Sequence, residues 1–265
     1  MKKSISFHGI ETFYSVTGNG FPVLLLHGFG ESSNIWNILT PALHAYKLIL
    51  PDLPGSGYSE ALPQENVSMS DYASCVEAIM QQENIDKIHF IGHSMGGYIA
   101  MEFANMHADM LASLTLFHSS AYADNESKIE TRMKAIDFIT SHGAEAFLKT
   151  SLPGLFKEPE KHYEDLVRLI KEGGSFSGQS LVQYYRAMIG RKDHSGLLST
   201  LGVPALFIIG EHDTAVPFKI SLKQCYLPSI SFVHILRSSA HMGMYEETEK
   251  ITLIVNDFLK EVTKD

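Results

Sequence analysis

Short apolar runs alternate with longer amphipathic stretches along most of the chain. Runs at 22–26, 46–50, 87–91, 111–117, 204–209 and 231–236 are mainly apolar with no regular polar alternation. That pattern predicts strands buried on both faces of a parallel sheet. Two earlier segments, 4–8 and 11–17, read as strands about a Gly9-Ile10 turn, an antiparallel edge hairpin. Helical periodicity predicts helices at 71–83, with Ser70 as N-cap, at 97–107 and at 247–261. In the last of these Ile251, Leu253, Ile254, Phe258 and Leu259 form a stripe. Strands alternating with helices specify βαβ crossovers. The expected fold is α/β, a mostly parallel, doubly wound sheet with helices on both faces.

The alternation fails between about 122 and 198. Helical patterns at 129–141, 144–152, 163–171 and 179–189 follow one another with no strand between them. Gly143, Pro153-Gly154, Pro159, Gly173-Gly174 and Gly190 punctuate them. The expected organisation is a core of residues 1–120 and 199–265 with a helical lid, 121–198, inserted. Positions 121–195 hold 11 basic and 11 acidic residues, so the net charge of −9 resides on the flanks. Such mixed charge reads as solvated helix faces.

Composition narrows the function. With 45% hydrophobic residues the chain can bury a full core. A net charge of −9 argues against nucleic acid or an anionic membrane as partner. Cys75 and Cys225 lie far apart without metal spacing, as expected of free thiols in a reducing compartment. Lys2 and Lys3 resemble the start of an export signal, but no apolar stretch follows. No run approaches the roughly 18 apolar residues of a membrane helix. A cytoplasmic protein is expected, with no cofactor and no metal site; its oligomeric state is left open.

The chemistry-bearing motifs stand at strand ends. The run 87–91 leads directly into Gly92-His93-Ser94-Met95-Gly96-Gly97 and a helix. Gly-x-Ser-x-Gly between strand and helix presents a nucleophile on a sharp turn, with small neighbours where strand and helix nearly touch. The helix start leaves backbone N–H groups aimed at the site, so Met95 N–H is a candidate oxyanion donor. A serine hydroxyl needs an imidazole base, which a carboxylate must orient. After 204–209 comes Gly210-Glu211-His212-Asp213, where Asp213 is preferred as the acid over Glu211. After 231–236 comes Arg237-Ser238-Ser239-Ala240-His241, making His241 the candidate base. The loop His27-Gly28-Phe29-Gly30 supplies a second oxyanion donor, Phe29 N–H, with His27 bracing the loop.

These motifs, together with Asp52-Leu53-Pro54-Gly55-Ser56-Gly57, resemble the α/β-hydrolase superfamily over nearly the whole chain. The resemblance implies the α/β-hydrolase fold with an inserted helical lid, and a structural rather than catalytic Asp52. Carboxylesterases, carbon–carbon bond hydrolases of aromatic degradation and cofactor-free haloperoxidase-like esterases are the similar branches. Epoxide hydrolases and haloalkane dehalogenases place Asp where Ser94 stands. Menaquinone-pathway lyases have Arg at the position of Tyr98, and proline iminopeptidases have Trp at that of Met95.

The implied activity is a serine hydrolase cleaving small, mainly apolar carboxylic esters. Carbon–carbon hydrolysis or perhydrolysis at the same triad is the alternative, ahead of a non-catalytic ligand-binding relative. Tyr122, His118, Tyr184, Met188 and Met242 are the candidate pocket residues.

Overall fold

A computed structural model describes residues 1–263. Eight strands form one sheet: β1 (Lys2–Phe7), β2 (Ile10–Thr17), β3 (Pro22–Leu26), β4 (Lys47–Pro51), β5 (Ile88–His93), β6 (Leu111–Phe117), β7 (Ala205–Gly210) and β8 (Ser231–Leu236). Their order is β1-β2-β4-β3-β5-β6-β7-β8. The first two ladders, β1–β2 and β2–β4, are antiparallel, and from β4 to β8 all pairs are parallel. The expected edge hairpin is present, with β2 also paired antiparallel to β4.

The central strands are largely apolar because both faces are covered. Every residue of β5 and β7 is buried. β8 differs from its sequence reading. It is an edge strand, so Val233 and Ile235 are 40% and 36% exposed, while Phe232 packs on Phe258 with ring centroids 5.1 Å apart.

α1 (Met69–Gln82) starts two residues earlier than the Ser70 cap predicts. Ser68 Oγ accepts from Asp71 N–H, and Asp71 Oδ2 accepts from Ser68 N–H at 2.7 Å. This reciprocal box caps two otherwise free donors, an effect of about 1 kcal/mol. α2 (Met95–Met106) follows β5 directly. Between β6 and β7 stand α3 (Glu126–His142), α4 (Ala144–Ser151), α5 (Tyr163–Gly173), α6 (Gly178–Ile189) and α7 (Ser195–Thr200). α8 (Phe218–Gln224), which the periodicity did not show, follows β7. α9 (Gly243–Glu246) and α10 (Thr248–Val262) close the chain. Among the described residues no helix is long and apolar enough to cross a membrane.

Topology decides where a site can form. The chain leaves β3 toward β4 on one side and returns to β5 on the other. Loops at the carboxyl ends of β3 and β5 therefore part there, leaving the crevice where ligands bind in such sheets.

Candidate active site

The turn from β5 into α2 holds Ser94 at φ 50°, ψ −116°, a conformation costly for a residue with a Cβ. Flanking contacts enforce it. A Cβ on Gly92 would strike the Gly96 carbonyl, and one on Gly96 the Leu26 and His27 carbonyls. Ser94 N–H donates to the Phe117 carbonyl at 2.9 Å, and Ser119 Oγ donates to the Ser94 carbonyl at 2.7 Å. Ser94 occupies the N-cap position, yet its hydroxyl caps nothing.

That hydroxyl instead meets His241. Ser94 Oγ lies 2.9 Å from His241 Nε2, and His241 Nδ1 lies 2.8 Å from Asp213 Oδ2. A carboxylate only accepts, so Nδ1 carries the proton and Nε2 offers its lone pair to the serine O–H. Asp213 Oδ1 accepts from Val216 N–H at 2.8 Å. Burial would push the Asp213 carboxyl up, but the charge and hydrogen bond of His241 hold it well below the usual carboxylate range. Glu211, the competing acid, is exposed.

Met95 is the first residue of α2, where the N–H has no partner within the helix. Phe29 lines the cavity that contains Ser94 and His241. His27 braces its loop: Nε2 accepts from Leu53 N–H at 3.0 Å, and Nδ1–H donates to the Gly28 carbonyl at 2.9 Å. Asp52 accepts from Ser33 and Tyr58 N–H, a structural use of its carboxylate.

Sequence reasoning missed a buried pair under this site. Glu31 Oε2 accepts from Gly28 N–H at 2.6 Å and from His93 Nδ1 at 2.9 Å. The other His93 nitrogen faces the His241 carbonyl at 3.0 Å. Two acceptors require two donors, so His93 is an imidazolium. Burial alone would lower its pKa, but the Glu31 carboxylate and the His241 carbonyl raise it. Burial would likewise raise Glu31, but His93, the Gly28 N–H and His27 hold it low. The pair joins the loop after β3, the Ser94 turn and the His241 loop. A carboxylate directly after Gly30 and a histidine directly before Ser94 were the available signals.

Glu31→Gln keeps an acceptor for Gly28 but leaves the imidazolium unpaired. Removing one partner of a buried pair costs about 3–5 kcal/mol. Glu31, with a lowered pKa, stabilises fully above about pH 4.3 and loses that contribution as pH falls. His93, with a raised one, stabilises fully below about pH 6.5 and loses it as pH rises through its folded value. The wild-type advantage in urea unfolding is therefore expected to peak between about pH 4.3 and 6.5. A difference independent of pH would contradict an ionised pair.

The Ser94 cavity has a volume of about 130 Å³ and is walled by Phe29, Tyr98, Leu148, Leu152, Tyr185 and Met188, together with Lys128 and Arg132. A wider cleft of about 560 Å³ adjoins it, sharing Tyr98, Lys128, Ala215 and Val216. Of the expected pocket residues, Met188 is in the cavity wall. Tyr122 lines the adjoining cleft instead. Tyr184 is fully buried, its O–H donating to the Pro54 carbonyl at 2.9 Å. Met242 is fully buried at the start of α9.

His118 lies beneath the acid. Gly210 N–H donates to its Nδ1 at 3.2 Å, which places the proton on Nε2 and makes the 3.5 Å approach to Asp213 Oδ2 a contact only. Burial lowers its pKa to about 4, so the ring is neutral. Among the described residues no cluster of three or more His, Cys, Asp or Glu is disposed to hold a metal ion.

Comparison with known proteins agrees with this architecture. A model of the alpha/beta hydrolase fold family matches residues 22–248. A Pseudomonas putida relative, the dihydrolipoyllysine-residue acetyltransferase component of an acetoin cleaving system, is 29% identical over 250 residues. That match covers 91% of this chain but only 64% of the relative's length. A Pseudomonas 2-hydroxy-6-oxononadienedioate/2-hydroxy-6-oxononatrienedioate hydrolase is 25% identical over 259 residues, 91% of this chain and 89% of its own. A thermophilic esterase from Thermogutta terrifontis superposes with a TM-score of 0.92 at 25% identity, covering both chains fully.

Proposed function

The chain belongs to the alpha/beta hydrolase fold family, and on that footing we propose that it is a serine hydrolase cleaving small carboxylic esters through an acyl-enzyme. The line Asp213–His241–Ser94, with spacings of 2.8 and 2.9 Å and its hydroxyl end in a cavity, carries the reading. His241 takes the serine proton as Ser94 Oγ attacks the ester carbonyl carbon. Asp213 holds the tautomer and stabilises the imidazolium that forms. The oxyanion falls to Phe29 and Met95 N–H, each worth about 3 kcal/mol of barrier. His241 then returns the proton to the leaving alcohol, and a water it deprotonates releases the acid.

The inserted helices act as the lid of this cavity. Leu148, Leu152 and Met188 stand in its wall, and the Leu155 carbonyl accepts the His241 N–H at 2.9 Å.

Hydrolysis of p-nitrophenyl esters from acetate to decanoate tests the proposal, with Ser94→Ala as control. The small cavity favours the shortest acyl chains, so Ser94-dependent turnover is expected to peak at acetate to butyrate. Fluorophosphonate labelling that persists in Ser94→Ala would reject Ser94 as nucleophile. Labelled Ser94 without ester turnover would favour carbon–carbon bond hydrolysis, the reaction class of the 25%-identical Pseudomonas relative named as an oxononadienedioate hydrolase.

A further inference from the structure

Lys128 and Arg132 are four residues apart on α3, hence on one side of it, and both line the cavity holding Ser94 and His241. Arg132 is buried, which is rare for a guanidinium without full pairing. Its Nε donates to Asp124 Oδ2 at 2.6 Å, but Arg191 Nη1 forms an ion pair with the same oxygen at 2.9 Å. One carboxylate thus serves two guanidiniums. Lys128 Nζ donates to the Ala215 carbonyl at 2.8 Å, a neutral acceptor, and forms no ion pair among the described residues. The other carboxylates nearest the cavity are engaged elsewhere, Glu31 by His93 and Asp213 by His241.

The Asp124 carboxylate is therefore divided between two guanidiniums, which crowds positive charge beside Lys128 in the cavity wall. Rings relieve it in part: the Arg191 guanidinium lies 4.0 Å from the Tyr98 centroid and that of Arg132 5.5 Å from Tyr185. Burial, and then the charge of Arg132, lowers the Lys128 pKa against the opposing charges of Asp124 and Asp213.

We propose that this cavity takes an ester bearing a free carboxylate, held by Lys128 and Arg132 while Ser94 attacks the ester carbonyl. The assignment rests on the serine-hydrolase reading and narrows its substrate class. A carboxylate suits the site because its two oxygens accept from an ammonium and a guanidinium together.

The test compares monomethyl succinate and glutarate with their neutral isosteres, methyl 4-methylpentanoate and methyl 5-methylhexanoate. Acetoxyacetate against isobutyl acetate places the charge on the alcohol side. The readout is the ratio of kcat/KM, charged over neutral, which a general loss of activity does not move. A ratio above about 10 is expected for at least one pair, falling about 10- to 100-fold in Lys128→Met, the span of a lost charge-assisted hydrogen bond. Neutral esters cleaved as fast as every charged partner would overturn the carboxylate subsite and leave the serine hydrolase standing. Fluorophosphonate labelling of Ser94 reads the same subsite without turnover. Glutarate is expected to slow it more than pentane-1,5-diol does, and equal rates overturn the subsite. If Ser94 is neither labelled nor needed for any cleavage, the serine-hydrolase reading itself has failed.

Discussion

Ser94→Ala is expected to lower kcat for a short ester about a million-fold, with little change in KM. The size follows from the unit character of the triad. Without the hydroxyl, His241 and Asp213 have no nucleophile to activate, so their contribution disappears with it. The remaining rate, about 10^3- to 10^4-fold above water, reflects binding and the oxyanion donors alone. Those donors are backbone groups on loops that the substitution leaves in place. Alanine keeps the Cβ, so the φ of 50° at position 94 carries the same strain and the turn persists. Unchanged urea unfolding beside the lost turnover separates chemistry from folding. Activity within tenfold of wild type would place the nucleophile elsewhere.

The fold was legible because its strands are short and buried on both faces. A run such as Ala205–Gly210 has to be almost wholly apolar, and it is. Boundaries were less legible where a competing cap existed. Ser68 and Ser70 both precede the helical stripe, but only Ser68 has Asp71 three residues on to complete the box. The spacing Ser-x-x-Asp was the discriminating signal. At the far edge β8 kept an apolar sequence although its outer side faces solvent, and nothing local tells an edge strand from a central one.

The proposed triad was visible because Ser94, Asp213 and His241 each lie in the turn or loop that follows an apolar run. The cavity wall was not, because it depends on how separate helices turn. Met242 follows His241 directly and Tyr184 stands on α6 of the inserted segment, yet packing inside the core claims both. Lys128 and Arg132 sit in a stretch whose charges balance, which reads as a solvated face. Their four-residue spacing was visible; the side of α3 that carries them inward was not. Beside the apolar Leu148, Leu152 and Met188 the wall therefore also carries two cations.

Asp213→Asn is expected to lower kcat about 10^4-fold, whereas Glu211→Gln stays within about twofold. Asp213 is held on both sides: Oδ1 takes the Val216 N–H and Oδ2 the His241 Nδ1–H. An asparagine has one acceptor for these two donors. Its carbonyl keeps the Val216 N–H, so its NH2 points at Nδ1 and forces the imidazole proton onto Nε2. His241 then offers Ser94 a donor where it must offer a lone pair, and proton removal stops although the atoms have scarcely moved. The pH dependence separates this from a simple loss of charge. Wild-type Asp213, held far below the ordinary carboxylate range by His241 against the effect of burial, stays ionised wherever the fold survives. Loss of activity in mild acid would then not come from Asp213, and alkaline pH would not rescue the asparagine variant, since its defect is a misplaced proton on a neutral ring. Glu211 is exposed two residues away, close enough in sequence to compete for the role but turned to solvent. Rates for both variants with one activated ester decide between them: a large loss at Glu211 and a small one at Asp213 would reverse the assignment.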